Sequence, residues 1–222
     1  MKQPPEVSSE STTPQPSLRR QFRRSGADHI LSRGENAFEA AHTYCNDQPM
    51  PVKESLYVRP AVAEDSMAVA QAHVRSWQVG YRGLLPVGYL DALRPEDRAS
   101  RYGFDQMNPD GPFTQVAVDK ATICGHVTTG RCRDADLQGN GEIWALYVDP
   151  ARWGSGIGRC LITAGCTQLS SQGYAMASLW VLSGNDRARH FYERTGWHCD
   201  GTERTDSIGH HVVHEVRYQR SL

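Results

Sequence analysis

Three glycines at alternate positions, in Asp149-Pro150-Ala151-Arg152-Trp153-Gly154-Ser155-Gly156-Ile157-Gly158-Arg159, are the residues of this chain best spaced for binding chemistry. Glycine lets a backbone come close to a ligand and takes up positive φ at little cost. The run follows an apolar segment and leads into a helix, whose free N–H groups and dipole favour a phosphate. Arg152 and Arg159 place positive charge on either side of the glycines. The spacing is GxGxG rather than the GxGxxG of a dinucleotide fold, and no Lys-Ser/Thr follows, so it is not a P-loop. Two readings stand for the loop alone: a phosphate cradle, or a turn whose glycines serve only tight packing.

Other clusters promise less. His210, His211 and His214 invite a metal, but on a predicted strand adjacent histidines face opposite sides, and no Cys or carboxylate completes a site. Cys124 and Cys132 do not form a ligand pair either, and no metal is expected. None of the six cysteines (45, 124, 132, 160, 166 and 199) lies in a CxxC pair. Several sit in apolar segments, which suits reduced, packed thiols in a cytoplasmic protein.

The elements that must position the loop can be read from periodicity. Leu56–Pro60 is a short strand, and Asp65 or Ser66 caps a helix carrying Ala70, Val74, Trp77 and Tyr81 at three-to-four spacing, stopped by Gly83. Pro86–Leu93 and Pro95–Met107 read as helical turns with proline in the first turn. Gln115–Val118 and Thr122–Thr129 form a hairpin across Asp119-Lys120-Ala121, followed by a polar loop over 130–141. Glu142–Val148 is the strand before the glycine loop. The helix after the loop repeats Ile157, Leu161, Ala164 and Leu169 and ends at Gly173. Ser178–Leu182 is a strand, and Asn185–Arg194 a helix with Ala188, Phe191 and Tyr192 on one face. Strands around Trp197–Asp200 and His211–Tyr218 finish the chain. The order predicts a mixed α/β fold around one sheet.

Residues 1–54 are of a different kind. They hold six of the twelve prolines, three aromatics (Phe22, Phe38, Tyr44), and seven basic against seven acidic residues. So little apolar surface cannot offset the entropy of ordering, and this extension is expected to be disordered, with 55–222 as the folded domain. Arg19-Arg20-Gln21-Phe22 resembles a twin-arginine export signal, but Arg23-Arg24-Ser25-Gly26 follows where an apolar stretch is needed. The formal net charge of −1 makes no electrostatic case for nucleic acid or an anionic membrane, and no apolar run is long enough to span one.

Taken together, residues 57 to 220 resemble the GNAT superfamily of acetyl-CoA-dependent N-acetyltransferases. The strand Ile143–Val148, Asp149-Pro150 and the Gly-x-Gly-x-Gly run are similar to its acetyl-CoA signature. Asn185-x-x-Ala188-x-x-Phe191-Tyr192-Glu193-x-x-Gly196-Trp197 is similar to its next helix, and Trp77-x-x-x-Tyr81-Arg82-Gly83-Leu84-Leu85-Pro86 to its first-helix region. The element order matches as well. One position departs: Trp153 stands where the family usually has Gln or Arg.

The resemblance implies a mainly antiparallel sheet flanked by helices and splayed at the cofactor strand. It implies acetyl-CoA as co-substrate, held by Leu146, Tyr147 and Val148, by the loop residues Trp153, Gly154, Ser155, Gly156, Ile157, Gly158 and Arg159, and by Asn185 on the pantetheine arm. Asn185 equally suits a helix N-cap. Tyr192 matches the family's acid for the leaving thiolate, against a purely packing role beside Phe191. Glu142 matches a glutamate base of some members; others carry theirs on the next strand, where this chain has Trp180, and a water relay is the alternative. Trp77 and Tyr81 suit an amine pocket, a core stripe, or a mixture. The expected activity is N-acetyl transfer to an amine-bearing acceptor, the family also suggesting a homodimer. The alternatives are a sensor or interaction module of the same fold without catalysis, and a nucleotide-phosphate binder.

Overall fold

The computed structural model describes residues 55–104 and 111–222. The extension expected over 1–54, and the end of the segment Pro95–Met107, lie outside the described residues.

Seven strands form one sheet: β1 (Leu56–Pro60), β2 (Phe113–Asp119), β3 (Thr122–Arg131), β4 (Gly141–Val148), β5 (Met176–Leu182), β6 (His198–Ile208) and β7 (His211–Ser221). Their order is β1-β2-β3-β4-β5-β7-β6, antiparallel everywhere except between β4 and β5. The sheet is thus the mixed, mainly antiparallel one expected. Helix α1 (Ser66–Gly80), with α2 (Val87–Ala92) and α3 (Pro95–Ala99), serves one face, while α4 (Ile157–Ser171) and α5 (Asp186–Arg194) serve the other.

The main core lies under α4, where Ile157, Leu161, Ala164 and Leu169 meet Val127, Ile143 and Leu179 of the sheet. These are the helical positions whose spacing marked them, because a 3.6-residue period brings them to one stripe. Gly173 and Gly196 end α4 and α5 with φ of 90° and 84°, left-handed conformations that suit glycine as a helix stop.

Two elements depart from expectation. β6 extends to Ile208 instead of stopping near Asp200, although its side chains are mostly polar and exposed. Its pairing with β7 extends the strand through a register break between Cys199 and Glu203, which local patterning does not encode. α3 ends at Ala99, eight residues before Met107. Tyr102 and Phe104 leave it to stack on each other at 5.0 Å and pack on Val69 and Val116, with Phe104 at a φ of 40°.

Candidate active site

The glycines after β4 divide their work. Gly154 and Gly156 have φ of 76° and 88°, and a Cβ built on either meets nothing within 4 Å. They supply backbone conformation beside open space. Gly158 does the opposite: a Cβ there would stand 3.3 Å from the Phe191 ring, so this glycine lets α4 approach α5. The packing reading holds for Gly158, while Gly154 and Gly156 stand where the cradle reading places its ligand. Gly156 is the N-cap of α4, which leaves the first N–H groups of that helix without intrahelical partners. Asp149 shapes the entry, accepting from the Ala151 N–H at 3.0 Å and pairing with Arg75 at 2.6 Å. Trp153 donates its indole N–H to the Val148 carbonyl at 2.8 Å.

The strand before the loop opens the site. β4 pairs with β5 only at Gly141↔Ala177 and Glu142↔Ser178. Opposite Thr128 and Thr129 of β3 stand Ala145 and Ile143, so Trp144 is the extra residue of a β-bulge. A bulge bends its strand, and here the bend follows directly after the last β4–β5 pair. Beyond it, alternate amides of β4 face a gap rather than a partner strand. The gap belongs to a cavity of about 870 Å³, whose wall runs from Trp77, Tyr81 and Glu142 along Leu146, Tyr147 and Val148 to Trp153, Gly154, Gly156, Gly158 and Arg159. Asn185 and Tyr192 complete the side formed by α5.

Ser155 and Ile157 alone among the expected contacts stand off this wall. The Ser155 hydroxyl donates to the Arg152 carbonyl at 2.6 Å, and the Ile157 side chain is buried in the core.

Glu142 is buried and does not stand free. Arg133 Nε reaches Oε2 at 3.1 Å, its Nη2 binds Oε1, and the Arg133 backbone N–H donates to Oε2 at 2.9 Å. Arg133 itself is half exposed and lies over the Trp144 ring at 4.7 Å. Tyr192 is buried among Phe191, Trp197 and Tyr218 while lining the cavity, and burial pushes its phenol above the ordinary value of 10. Asn185 is the N-cap of α5, its side-chain oxygen accepting from the Ala188 N–H at 3.1 Å. The cap uses the carbonyl and leaves the NH2 for a ligand, so the two roles are compatible.

Trp77 and Tyr81 line the cavity and also pack on the Leu85–Leu90–Leu182–Val213 cluster, a mixture of wall and core. Burial, then the neighbouring Tyr147, raise the Tyr81 phenol well above its ordinary value. Behind Tyr147 lie His73 and His126, both buried. The rings of His73 and Tyr147 are 4.4 Å apart, and His73 Nδ1 is 2.9 Å from the Tyr102 hydroxyl.

Residues 67–197 match the model of the acetyltransferase (GNAT) family. The chain belongs to that family. It is 30% identical over 129 residues to an uncharacterized N-acetyltransferase, YuaI, of Bacillus subtilis, covering 58% of this chain and 72% of that protein. It is 33% identical over 129 residues to a mycothiol acetyltransferase of Propionibacterium freudenreichii, but spans only 39% of that relative's length. The fold matches a PaiA N-acetyltransferase of Thermoplasma acidophilum solved in complex with coenzyme A. The TM-score is 0.58 at 16% identity, with 76% of this chain and 99% of that one covered.

As a GNAT acetyltransferase the chain is an acyl-transferring enzyme. The cavity runs beside the strand edge that β5 leaves unpaired, with open positive-φ glycines at one end. Other wall residues escaped the sequence reading. Arg133 lies in the polar loop 130–141, where no period singles it out. Arg187 occupies an unspecified position of the Asn185 motif, and Arg204 pairs with Glu215 at 2.7 Å across the last hairpin. An arginine inside a motif was the one available signal, and only for Arg187.

Proposed function

We propose that this GNAT acetyltransferase transfers the acetyl group of acetyl-CoA directly to a primary amine of a small molecule or a protein. The observation that carries the reading is the separation of β4 from β5 beyond Glu142–Ser178. It opens one cavity that joins a phosphate-suited loop to a pocket lined by Glu142, Trp77 and Tyr81.

In this reading the loop glycines and Arg159 hold the pyrophosphate, while the amides of Leu146 to Val148 and the side chain of Asn185 hold the pantetheine arm. The amine nitrogen attacks the thioester carbon, and free β4 amides stabilise the oxyanion that develops. Glu142 accepts the proton lost by the amine. Because both of its oxygens already receive bonds from Arg133, a water between amine and carboxylate fits better than direct contact. The carbon–sulfur bond then breaks, and Tyr192 donates its proton to the thiolate. Burial weakens the phenol as an acid, but the same dry surroundings also disfavour a thiolate, which keeps the transfer feasible.

One relative is named for mycothiol, so small-molecule amines lead the acceptor panel. The test is acetyl-CoA titration followed by thiol release with amino acids, polyamines, aminoglycosides and peptide N-termini. Turnover with at least one acceptor is expected. Acetyl-CoA binding with no turnover on any of them supports the sensor reading, and no acetyl-CoA binding refutes the cofactor assignment.

A further inference from the structure

Arg187, in the first turn of α5, lies with its guanidinium carbon 3.0 Å from the centroid of the Trp153 ring. At that distance the guanidinium must sit on the face of the indole, since the ring's own atoms occupy the in-plane positions. The indole is fixed on two sides. Its N–H is bound to the Val148 carbonyl at 2.8 Å, and its far edge reaches Gly80 at the end of α1, where a Cβ would stand 3.8 Å from the ring. Trp153 is therefore a platform, anchored to the strand before the glycine loop, on which a cation from another helix rests.

Arg187 differs from three other arginines of this wall in lacking a carboxylate. Arg152 is paired with Asp119 at 2.9 Å, Arg133 with Glu142 and Arg204 with Glu215. Among the described residues Arg187 makes no ion pair, and partial desolvation lowers the pKa of its guanidinium. It lines the same cavity as Gly154, Gly156 and Arg159. A guanidinium stacked on an aromatic face keeps its N–H donors at the edge, in the planar fork that matches a phosphoryl group.

Resting on the acetyl-CoA reading, we propose that Arg187, held by Trp153, is a cofactor-binding residue that receives a phosphoryl oxyanion of coenzyme A. Trp153 acts through Arg187 as a positioning residue. The phosphoryl group is either the pyrophosphate or the 3′-phosphate, which present the same chemistry to a guanidinium.

The test is calorimetric titration of the full chain with acetyl-CoA and with its 3′-dephospho analogue, for wild type, Arg187→Gln, Trp153→Leu and the double variant. Arg187 is exposed, so Arg187→Gln is expected to melt with wild type. Loss of this charged fork should weaken acetyl-CoA by about tenfold, and Arg187→Lys, which keeps charge without the fork, should fall between. If the Arg187→Gln penalty vanishes with the dephospho analogue, the partner is the 3′-phosphate; if it persists, the pyrophosphate. Trp153→Leu should cost binding in wild type and little more in the Arg187→Gln background. A full additional loss in that background overturns the platform role. Wild-type affinity of Arg187→Gln for both ligands overturns the assignment of Arg187 while leaving the cofactor reading intact, whereas a wild type that binds neither ligand overturns both.

Discussion

Glu142 and Arg133 form a two-pronged ion pair in which each carboxylate oxygen accepts from the guanidinium, with the Arg133 backbone N–H as a third donor to the same carboxylate. The carboxylate is almost wholly buried and the arginine half exposed. Arg133 thereby decides where the carboxylate points, at the position where β4 leaves β5.

For Glu142 itself, replacement by Gln keeps the shape and removes the proton acceptor. Glu142→Gln should lower kcat by about 100-fold or more, the range of general-base contributions, with acetyl-CoA affinity nearly unchanged. Arg133→Ala, which leaves a buried carboxylate short of its cation, should cost roughly 1–3 kcal/mol of stability. Steady-state kinetics and urea unfolding separate the two effects; an unchanged kcat in Glu142→Gln removes it from the mechanism.

Tyr192 tests the other proton. The residue lines the cavity with its ring packed on Phe191, Trp197 and Tyr218, so Tyr192→Phe retains the packing. Turnover should drop by about tenfold or more while the acetyl-CoA dissociation constant stays within about twofold, the signature of an interaction made in the transition state. Equal losses in both quantities would assign the residue to binding instead.

The division among the loop glycines predicts opposite phenotypes. Gly156→Glu meets open space but adds charge and a strained φ, so the chain should fold, losing roughly 1–2 kcal/mol, and fail to bind acetyl-CoA. Gly158→Val pushes into Phe191 and should lose roughly 1–3 kcal/mol through overpacking, with a lower melting temperature. Titration and thermal melts on the pair check this: a Gly156→Glu variant with normal affinity dissociates the loop from the phosphate.

Acid sensitivity should come from two histidines before it comes from carboxylates. Burial lowers His73 to about 2 and His126 to about 4, from an ordinary 6.5. Below pH 6.5 the unfolded chain takes up protons that the folded chain refuses, so stability falls as pH drops from 6.5 toward 4. The slope approaches about 1.4 kcal/mol per pH unit for each histidine. Asp65, Asp136 and Asp200, all held below 3.8, contribute losses only below that value. Urea unfolding at pH 7, 6 and 5 should show the decline, and His126→Gln should reduce it by about half, as expected for one of two titrating groups. A wild-type stability independent of pH across that range refutes the assignment.

Much of this site was written locally. The strand Glu142–Val148, the GxGxG turn, the helix to Gly173 and the Asn185–Tyr192 helix each follow from caps, glycine punctuation and a 3.6-residue period, all properties of adjacent residues. Those signals, with the family resemblance, pointed to acetyl-CoA chemistry and named Tyr192 and Glu142 as candidates for its two proton transfers. β6 was only partly legible, because a polar strand carries no apolar period and exists through its pairing with β7.

The tertiary structure decided the rest, since register and cavity walls arise between segments far apart in the chain. Pairing with β3 made Trp144 a bulge and left β4 open beyond Glu142. Phe191 turned Gly158 into a packing residue while Gly154 and Gly156 stayed open. The loop at 133 supplied the cation for Glu142, and α5 brought Arg187 onto Trp153, 34 positions earlier in the chain. No local period encodes such contacts, because each depends on where packing of the core puts two elements relative to one sheet.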